Sequence, residues 1–146
     1  KKNVLYLKYM KTILKNRKIN FEYELIDTYE AGILLNGLDV KHIRAGKMNI
    51  SDAFCYIKDS EIYLRNAILD TENVERKLLL HKQEIRILKS KVEQRGLTIV
   101  PVEINDKGGL IKIKIALAKG KTTYDKKISL KEKDLDRETW KTLKTY

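Results

Sequence analysis

The chain has 146 residues, a length that suits one folded domain with tails and excludes two ordinary domains. Lysine and arginine number 31 against 20 aspartates and glutamates, and the resulting net charge of +11 favours a polyanionic partner, above all nucleic acid. An AT-rich gene is an alternative source of part of the lysine excess.

The cysteine content and the hydropathy pattern narrow the class of protein further. The one cysteine, Cys55, excludes an intrachain disulfide and is expected to be a small core residue. No apolar run approaches the roughly 18 residues that a membrane span needs. These features predict a soluble protein of a reducing compartment, with no membrane partner.

The first fifteen residues mix lysines with apolar side chains. We interpret residues 1–15 as a basic N-terminal arm, which could fold as a short amphipathic helix. An RNA-facing arm, a membrane-surface segment and the end of a targeting peptide are the alternatives. Apolar side chains then alternate with carboxylates over residues 21–26, which predicts a strand with one buried face.

The middle of the chain shows a helix followed by a hairpin. A short apolar run at 33–35 ends at a turn signal, and a helix is predicted over residues 38–45, closed by Gly46 in the left-handed conformation. Residues 54–57 and 62–64 flank the polar segment 58–61. This pattern predicts two antiparallel strands joined by a short turn.

The following segment contains the longest predicted helix and a second hairpin. Apolar residues at helical spacing predict a helix over residues 78–95 that stops at Gly96. Residues 97–104 and 110–115 are predicted strands joined by the turn 105–109. Pro101 cannot donate to a strand ladder, so we expect an edge position or a bulge there.

About six strands and prominent helices predict the fold class: mainly β with flanking α-helices, as a small antiparallel β-barrel of the oligonucleotide-binding type. A β-sandwich is the alternative. The barrel domain is expected over residues 16–128. Residues 129–146 open on a capping-box pattern at Ser129 and hold few apolar groups, so we expect a basic tail that is disordered alone and helical on binding; an ordinary docked helix is the alternative.

The sequence contains no recognisable enzyme signature. Phosphate-binding glycine loops, metal-protease motifs and nucleophile elbows are missing, so we expect no catalysis. His42 and His81 lie in separate predicted elements, and neither a metal nor a cofactor is expected. The run 116–127 combines lysines, a glycine and a tyrosine, which suits phosphate contacts and stacking on an unpaired base.

That run also resembles the end of the barrel in the SmpB family, through residues 116–121 and 124–127. Further blocks resemble the family in the same order, at residues 16–18, 29–33, 40–47, 77–82 and 97–101. The resemblance implies an oligonucleotide-binding barrel that grips the tRNA-like domain of transfer-messenger RNA (tmRNA, or SsrA). It also implies that the complex enters stalled ribosomes in trans-translation, in which nascent peptides are tagged for degradation.

The resemblance implies site residues by position. The RNA-binding residues would be Asn16, Arg17, Lys18, Glu30, Arg44, Lys47, Leu79, Lys119, Gly120 and Lys121. The residues at the decoding centre and messenger channel of the small ribosomal subunit would be Tyr124, Asp125, Lys126, Lys127, Trp140 and Lys141. Glu30 repels phosphate, so we expect it to bond a base or ribose, or to hold a lysine; for Leu79, core packing is an equal alternative.

Two departures from the family pattern stand out. The segment 70–76 replaces a longer loop, and Lys126-Lys127 stands where the family often has Lys-Arg, without the planar fork of arginine. We expect a monomer in the bacterial cytoplasm, or in the stroma of an organelle of bacterial origin, a plastid or apicoplast. A structural ribosomal protein or a generic single-stranded-RNA-binding barrel is the alternative function, and an enzyme acting on RNA ranks below both.

Overall fold

The computed structural model of the protein describes residues 10–128 and 130–131. Within them the strands are β1 Met10–Lys15, β2 Tyr23–Ile33, β3 Met48–Asn49, β4 Phe54–Lys58, β5 Glu61–Leu69, β6 Glu72–Leu79, β7 Thr98–Lys107 and β8 Leu110–Gly120. The helices are α1 Ile19–Glu22, α2 Gly37–Arg44 and α3 Lys82–Arg95. Residues 123–128 and 130–131 are also helical.

The strand pairings close into an antiparallel barrel. Six strands follow each other in the order β7, β4, β5, β6, β2 and β8, and β8 pairs with β7 to complete the ring. Along one edge of β7, Ile99 pairs with Cys55 of β4, whereas the stretch from Glu103 to Lys107 pairs with β1. The short strand β3 pairs with β5 outside the ring. The predicted fold class, mainly antiparallel β with flanking helices, is confirmed.

Strand β8 shows why this sequence makes a barrel wall. Its large side chains Ile113, Ile115 and Leu117 are fully buried and belong to the main core. The alternate positions Ala116 and Ala118 face the other way, because successive side chains on a strand point to opposite faces. Their small size leaves room for Ile19 of α1, which packs on them from outside.

Both predicted hairpins are present. In the hairpin of β7 and β8, Lys107 pairs with Leu110, and the two residues between them are glycines with φ of 59° and 92°. Positive φ at both central positions is the geometry of the tight turns that match strand twist, and glycine adopts it without steric cost. The bulge expected at Pro101 is confirmed, since the register with β8 shifts between Pro101 and Glu103.

The helix after the first long strand also agrees with its prediction, within one residue at each end. Asn36 and Asp39 form a capping box at the start of α2, with the Asp39 amide donating to Asn36 Oδ1 at 2.8 Å. Gly46 follows the helix with φ of 75°, as expected. Cys55 is buried in the core, also as expected.

Three boundaries needed correction. Residues 10–15 are not part of an arm, because β1 pairs along β7 and packs Ile13 and Leu14 against the core. The strand expected from residue 21 begins at Tyr23, because residues 19–22 form α1. The helix expected from residue 78 begins at Lys82, because Leu78 is a buried strand residue paired with Ile33 and Ile62.

The predictions for residues 1–9, for the capping box at Ser129 and for the tail over 132–146 lie outside the described residues. No helix in the described part of the chain is long and apolar enough to cross a membrane.

Candidate nucleic-acid interface

The predicted site residues fall into two groups at opposite ends of the β2–β8 ladder. At one end Tyr23 pairs with Gly120, and at the other Gly32 pairs with Lys112. Tyr23 and Gly32 are nine residue steps apart along β2, which is at most about 30 Å at 3.3 Å per step. We call them the Gly120 end and the Glu30 end.

The Glu30 end is organised by an ion pair. The Lys107 ammonium donates a hydrogen bond to the carboxylate of Glu30. The Lys107 side chain is only 11% exposed, whereas that of Glu30 is 41% exposed. Of the two roles expected for Glu30, contact with a lysine is therefore present in the protein itself.

Leu79 lies at the same end and is a surface residue. It is 51% exposed and pairs with Gly32 of β2. A Cβ atom at Gly32 would lie 3.2 Å from the Leu79 Cβ, so the glycine leaves room for the leucine. The exposure favours the surface interpretation of Leu79 over core packing.

Arg44 lies at the β7–β8 turn beside the Glu30 end, and Lys47 follows it three residues later, after the end of α2. The Arg44 Nη2 atom donates to the Gly109 carbonyl at 2.9 Å, and its Nε atom lies 3.5 Å from Asp106 Oδ2. Arg44 therefore ties α2 to the β7–β8 turn. The backbone of Lys47 is held by His42 and Asp70, at 2.9 Å and 2.7 Å, while its side chain is exposed.

Asn16 does not lie on the surface, which corrects its predicted place on the RNA-binding face. Its side chain is buried, and Nδ2 donates to the carbonyls of Pro101 at 3.1 Å and Ile50 at 3.4 Å. Its amide donates to the Val102 carbonyl at 2.8 Å. Because buried amides need such partners, Asn16 fixes the chain between β1 and α1 rather than offering a surface contact.

At the Gly120 end, α1 meets the end of β8. Arg17 and Lys18 are exposed in the turn before α1, and Lys119 and Gly120 are exposed on β8. Lys121 joins the two, since its amide donates to the Glu22 carbonyl at 2.9 Å and its ammonium donates to the Asn20 carbonyl at 2.7 Å. The N-terminal and C-terminal basic motifs, distant in sequence, thus form one surface.

The segment of Tyr124, Asp125, Lys126 and Lys127 continues from this surface as a helix. Tyr124 is 72% exposed and Lys127 is also exposed. The hydroxyl of Thr122 donates to Asp125 Oδ2 at 2.8 Å, and this bond, with a second from the Thr122 amide, holds the Asp125 pKa below its ordinary value. Trp140 and Lys141 lie outside the described residues.

Sequence reasoning missed two residues of this end. Phe21 lies with its ring 5.7 Å from the Lys126 ammonium, a cation–π geometry that no local pattern indicates. Thr122 caps the start of the helix, and Asp125 follows three residues later. This spacing is a recognisable signal of a helix start, but the capping box was predicted at Ser129 instead.

The short segment 70–76 is a tight hairpin. Leu69 pairs with Glu72 and Asp70 has φ of 60°, so a two-residue turn joins β5 to β6. On the outer face of this hairpin, the Tyr56 hydroxyl donates to Glu75, which lowers the pKa of Glu75 and raises that of Tyr56. The hydrogen bond between Tyr56 of β4 and Glu75 of β6 thus stabilises the hairpin as part of the barrel wall.

A second ion pair braces the barrel beneath α2. Arg76 of β6 donates through Nε and Nη2 to the two carboxylate oxygens of Asp39, at 2.9 Å and 3.0 Å. This bidentate bond lowers the pKa of Asp39 and raises that of Arg76. Neither side chain is fully exposed, so the pair is structural.

The described residues bring together few groups suited to metal or thiol chemistry. No group of three or more His, Cys, Asp or Glu side chains among them could hold a metal ion. Burial raises the pKa of the Cys55 thiol, which keeps it protonated at neutral pH. The described residues offer exposed cations and exposed apolar side chains at the two ends of the β2–β8 ladder.

Comparisons with known proteins identify the family of the chain. A family model for the SmpB protein matches residues 13–145. An SsrA-binding protein of Trichormus variabilis is 45% identical over 93% of this chain and 95% of its own length, and one of Ligilactobacillus salivarius is 40% identical over 92% and 93%. A solved structure, "tmRNA-SmpB: a journey to the center of the bacterial ribosome", is 40% identical, with a TM-score of 0.62 over 82% of this chain and 95% of that one. The chain belongs to the SmpB protein family.

Proposed function

We propose that this protein binds the tRNA-like domain of tmRNA and delivers it to stalled ribosomes for trans-translation. The observation that carries the proposal is family membership along nearly the whole chain, with relatives named SsrA-binding protein and a solved tmRNA-SmpB structure concerned with the bacterial ribosome. The net charge of +11 supplies the attraction for RNA. The protein acts by binding and positioning RNA and carries out no catalysis of its own.

The Glu30 end is the surface proposed for tmRNA. Its exposed Leu79 offers an apolar contact for a ribose or base, and Arg44 and Lys47 offer cations at its rim. The Glu30–Lys107 pair holds the Glu30 carboxylate in place as an acceptor on this surface. Such a mixture of shape, apolar and polar contacts suits recognition of a folded RNA better than charge alone does.

The Gly120 end is the surface proposed for the small ribosomal subunit. Arg17, Lys18 and Lys119, which the resemblance implies as RNA-binding residues, lie beside this surface and offer cations to phosphates, and exposed Tyr124 stacks on a base of the decoding centre. The tail proposed over residues 129–146 becomes helical in the messenger channel, with Trp140 and Lys141 as its anchors. Two surfaces at opposite ends of one barrel let a monomer bridge two RNAs.

The proposed place of action follows from the relatives and their partners. The matched SsrA-binding proteins come from bacteria, cyanobacteria among them. The protein therefore works in the bacterial cytoplasm or in the stroma of a plastid or apicoplast, where ribosomes of bacterial type operate.

The test is the affinity of the purified protein for tmRNA at moderate salt, with and without an excess of bulk tRNA. Binding that survives the competitor supports the proposal. Binding that the competitor abolishes, with an affinity that falls by a slope of about −0.7 per single-strand phosphate contact as salt rises, would leave a generic RNA-binding barrel and overturn it.

A further inference from the structure

The C-terminal helix begins with a set of hydrogen bonds made entirely within the chain. The Thr122 amide donates to Asp125 Oδ2 at 3.1 Å, and the Asp125 amide donates to Thr122 Oγ1 at 3.2 Å. This reciprocal pair is a capping box, which gives partners to amides that the first turn of a helix leaves unbonded. The Lys126 amide then donates to the Thr122 carbonyl at 3.0 Å and closes the first turn.

The same turn is fastened to the barrel through α1. Lys121, one residue before the cap, bonds the carbonyls of Asn20 and Glu22 with its ammonium and its amide. Lys126, inside the turn, holds its ammonium 5.7 Å from the Phe21 ring centroid. The two bonds of Lys121 before the cap and the one contact of Lys126 after it thus fix the direction in which the helix leaves the barrel.

The four residues expected to face the decoding centre therefore differ in what they can offer. Asp125 and Lys126 are engaged with Thr122 and Phe21. Tyr124 and Lys127 are exposed on the same turn. An RNA contact by the Asp125 carboxylate would compete with the capping box and would set like charges against each other.

We propose that Thr122, Asp125 and Lys126 are positioning residues, which start and aim the C-terminal helix so that Tyr124 and Lys127 meet the RNA of the small ribosomal subunit. This role rests on the proposed function. A helix that is started before binding lowers the ordering cost of the segment that follows, because nucleation is the costly step of helix formation.

The experiment compares five variants of the full-length protein: Thr122→Ala, Thr122→Ser, Asp125→Ala, Asp125→Glu and, as a matched control, Thr123→Ala. Three quantities are measured for each. They are the backbone carbon chemical shifts of residues 123–128 in the free protein, the affinity for tmRNA, and the affinity of the tmRNA complex for small ribosomal subunits.

Thr122→Ala and Asp125→Ala are expected to reduce the helical shifts and to weaken subunit binding about fivefold, the usual effect of losing a cap. Affinity for tmRNA stays within about twofold, because the cap lies at the other end of the barrel from the proposed tmRNA surface. Thr122→Ser and Asp125→Glu are expected to keep both the helical shifts and the subunit affinity of the unmodified protein, because serine and glutamate also complete a capping box. Thr123→Ala behaves as the wild type.

The opposite pattern would overturn the positioning role. If Asp125 touched ribosomal RNA directly, Asp125→Ala would weaken subunit binding with unchanged helical shifts, and Thr122→Ala would have no effect. Failure of the proposed function looks different, because the unmodified protein would then bind neither tmRNA nor subunits, while the helical shifts would still respond to the cap variants.

Discussion

The ammonium of Lys107 donates a hydrogen bond to the carboxylate of Glu30, although β8 lies between their strands in the sheet. Lys107 is the more buried partner, and the Glu30 carboxylate compensates its charge. Glu30 is the more exposed partner and retains acceptor capacity toward solvent. The pair therefore presents one fixed polar group beside the exposed Leu79.

The first prediction concerns this pair. Glu30→Gln is expected to weaken tmRNA binding about tenfold, because an amide holds a lysine less firmly than a carboxylate does. If Glu30 acts through Lys107, a double variant with Lys107→Met binds no more weakly than Glu30→Gln alone. Fluorescence titrations at fixed salt measure the tmRNA affinity of the unmodified protein, the two single variants and the double variant.

A matched control is available on the barrel wall. Glu75 pairs with Arg65 at 3.3 Å, four residues from Leu79 along β6, and Glu75→Gln should leave tmRNA affinity unchanged. Additive losses in Glu30→Gln and Lys107→Met would instead mean that each side chain contacts RNA independently.

The second prediction compares two adjacent leucines on β6. Leu79→Ala should change the free energy of unfolding by less than about 0.5 kcal/mol, because Leu79 is a surface residue that is about half exposed. Leu78→Ala should lower it by about 2–5 kcal/mol, because Leu78 is fully buried in the barrel. Only Leu79→Ala is expected to weaken tmRNA binding while the protein remains fully folded, as urea unfolding and binding titrations would reveal. A large stability loss in Leu79→Ala would assign that leucine to packing.

The elements that could be predicted from the sequence are those with local signals. The β7–β8 hairpin has alternating side chains and adjacent glycines, and α2 has a capping residue before it and Gly46 after it. Each signal is set by backbone geometry within a few residues. The closed barrel followed from the number of strands.

The elements that were missed depend on distant partners. β1 lacks clear alternation, and its place is set by the exposed edge of β7. α1 has only four residues and is stabilised by packing of Ile19 on Ala116 and Ala118. No window of sequence around either element contains that information.

The residues of the candidate site also differ in whether a local sequence signal could identify them. Resemblance to a family identified Asn16 as a position of interest, but only the fold reveals that its amide is buried among carbonyl groups. The pairing of Lys126 with Phe21 likewise needs α1 and β8 to be neighbours. Thr122 is different, because its capping spacing to Asp125 was present in the sequence.

The third prediction concerns the Asp39–Arg76 pair. Asp39→Asn is expected to lower the free energy of unfolding by about 2–4 kcal/mol, since it breaks a largely buried bidentate pair and leaves Arg76 without its counter-charge. Urea unfolding at neutral pH is the measurement.

Asp27→Asn is the control for that measurement. Asp27 pairs with Lys91 at 2.9 Å, but its side chain is half exposed. Its loss should therefore cost only about 0–1 kcal/mol. Equal losses in the two variants would show that burial does not set the strength of the Asp39 pair.

The fourth prediction concerns the pH dependence of the C-terminal helix. The hydroxyl of Thr122, followed by its amide, holds the pKa of Asp125 below its ordinary value of 3.8. A carboxyl group whose folded pKa is depressed stabilises the folded form above its unfolded pKa, and that contribution is lost as the pH falls through the folded pKa. The helical start should therefore persist at pH 3.8 and disappear only in more acidic solution.

Carbon-detected NMR of the Asp125 carboxyl group and of residues 123–128 measures both the titration and the helix in one experiment. In Thr122→Ala the Asp125 pKa should rise toward its ordinary value, because the largest cause of its depression is removed. Thr123→Ala, which leaves the cap intact, should titrate as the unmodified protein does. An Asp125 pKa that is unchanged in Thr122→Ala would mean that other charges, not the capping box, hold the carboxylate ionised, and the helix would then owe its start to something other than this pair.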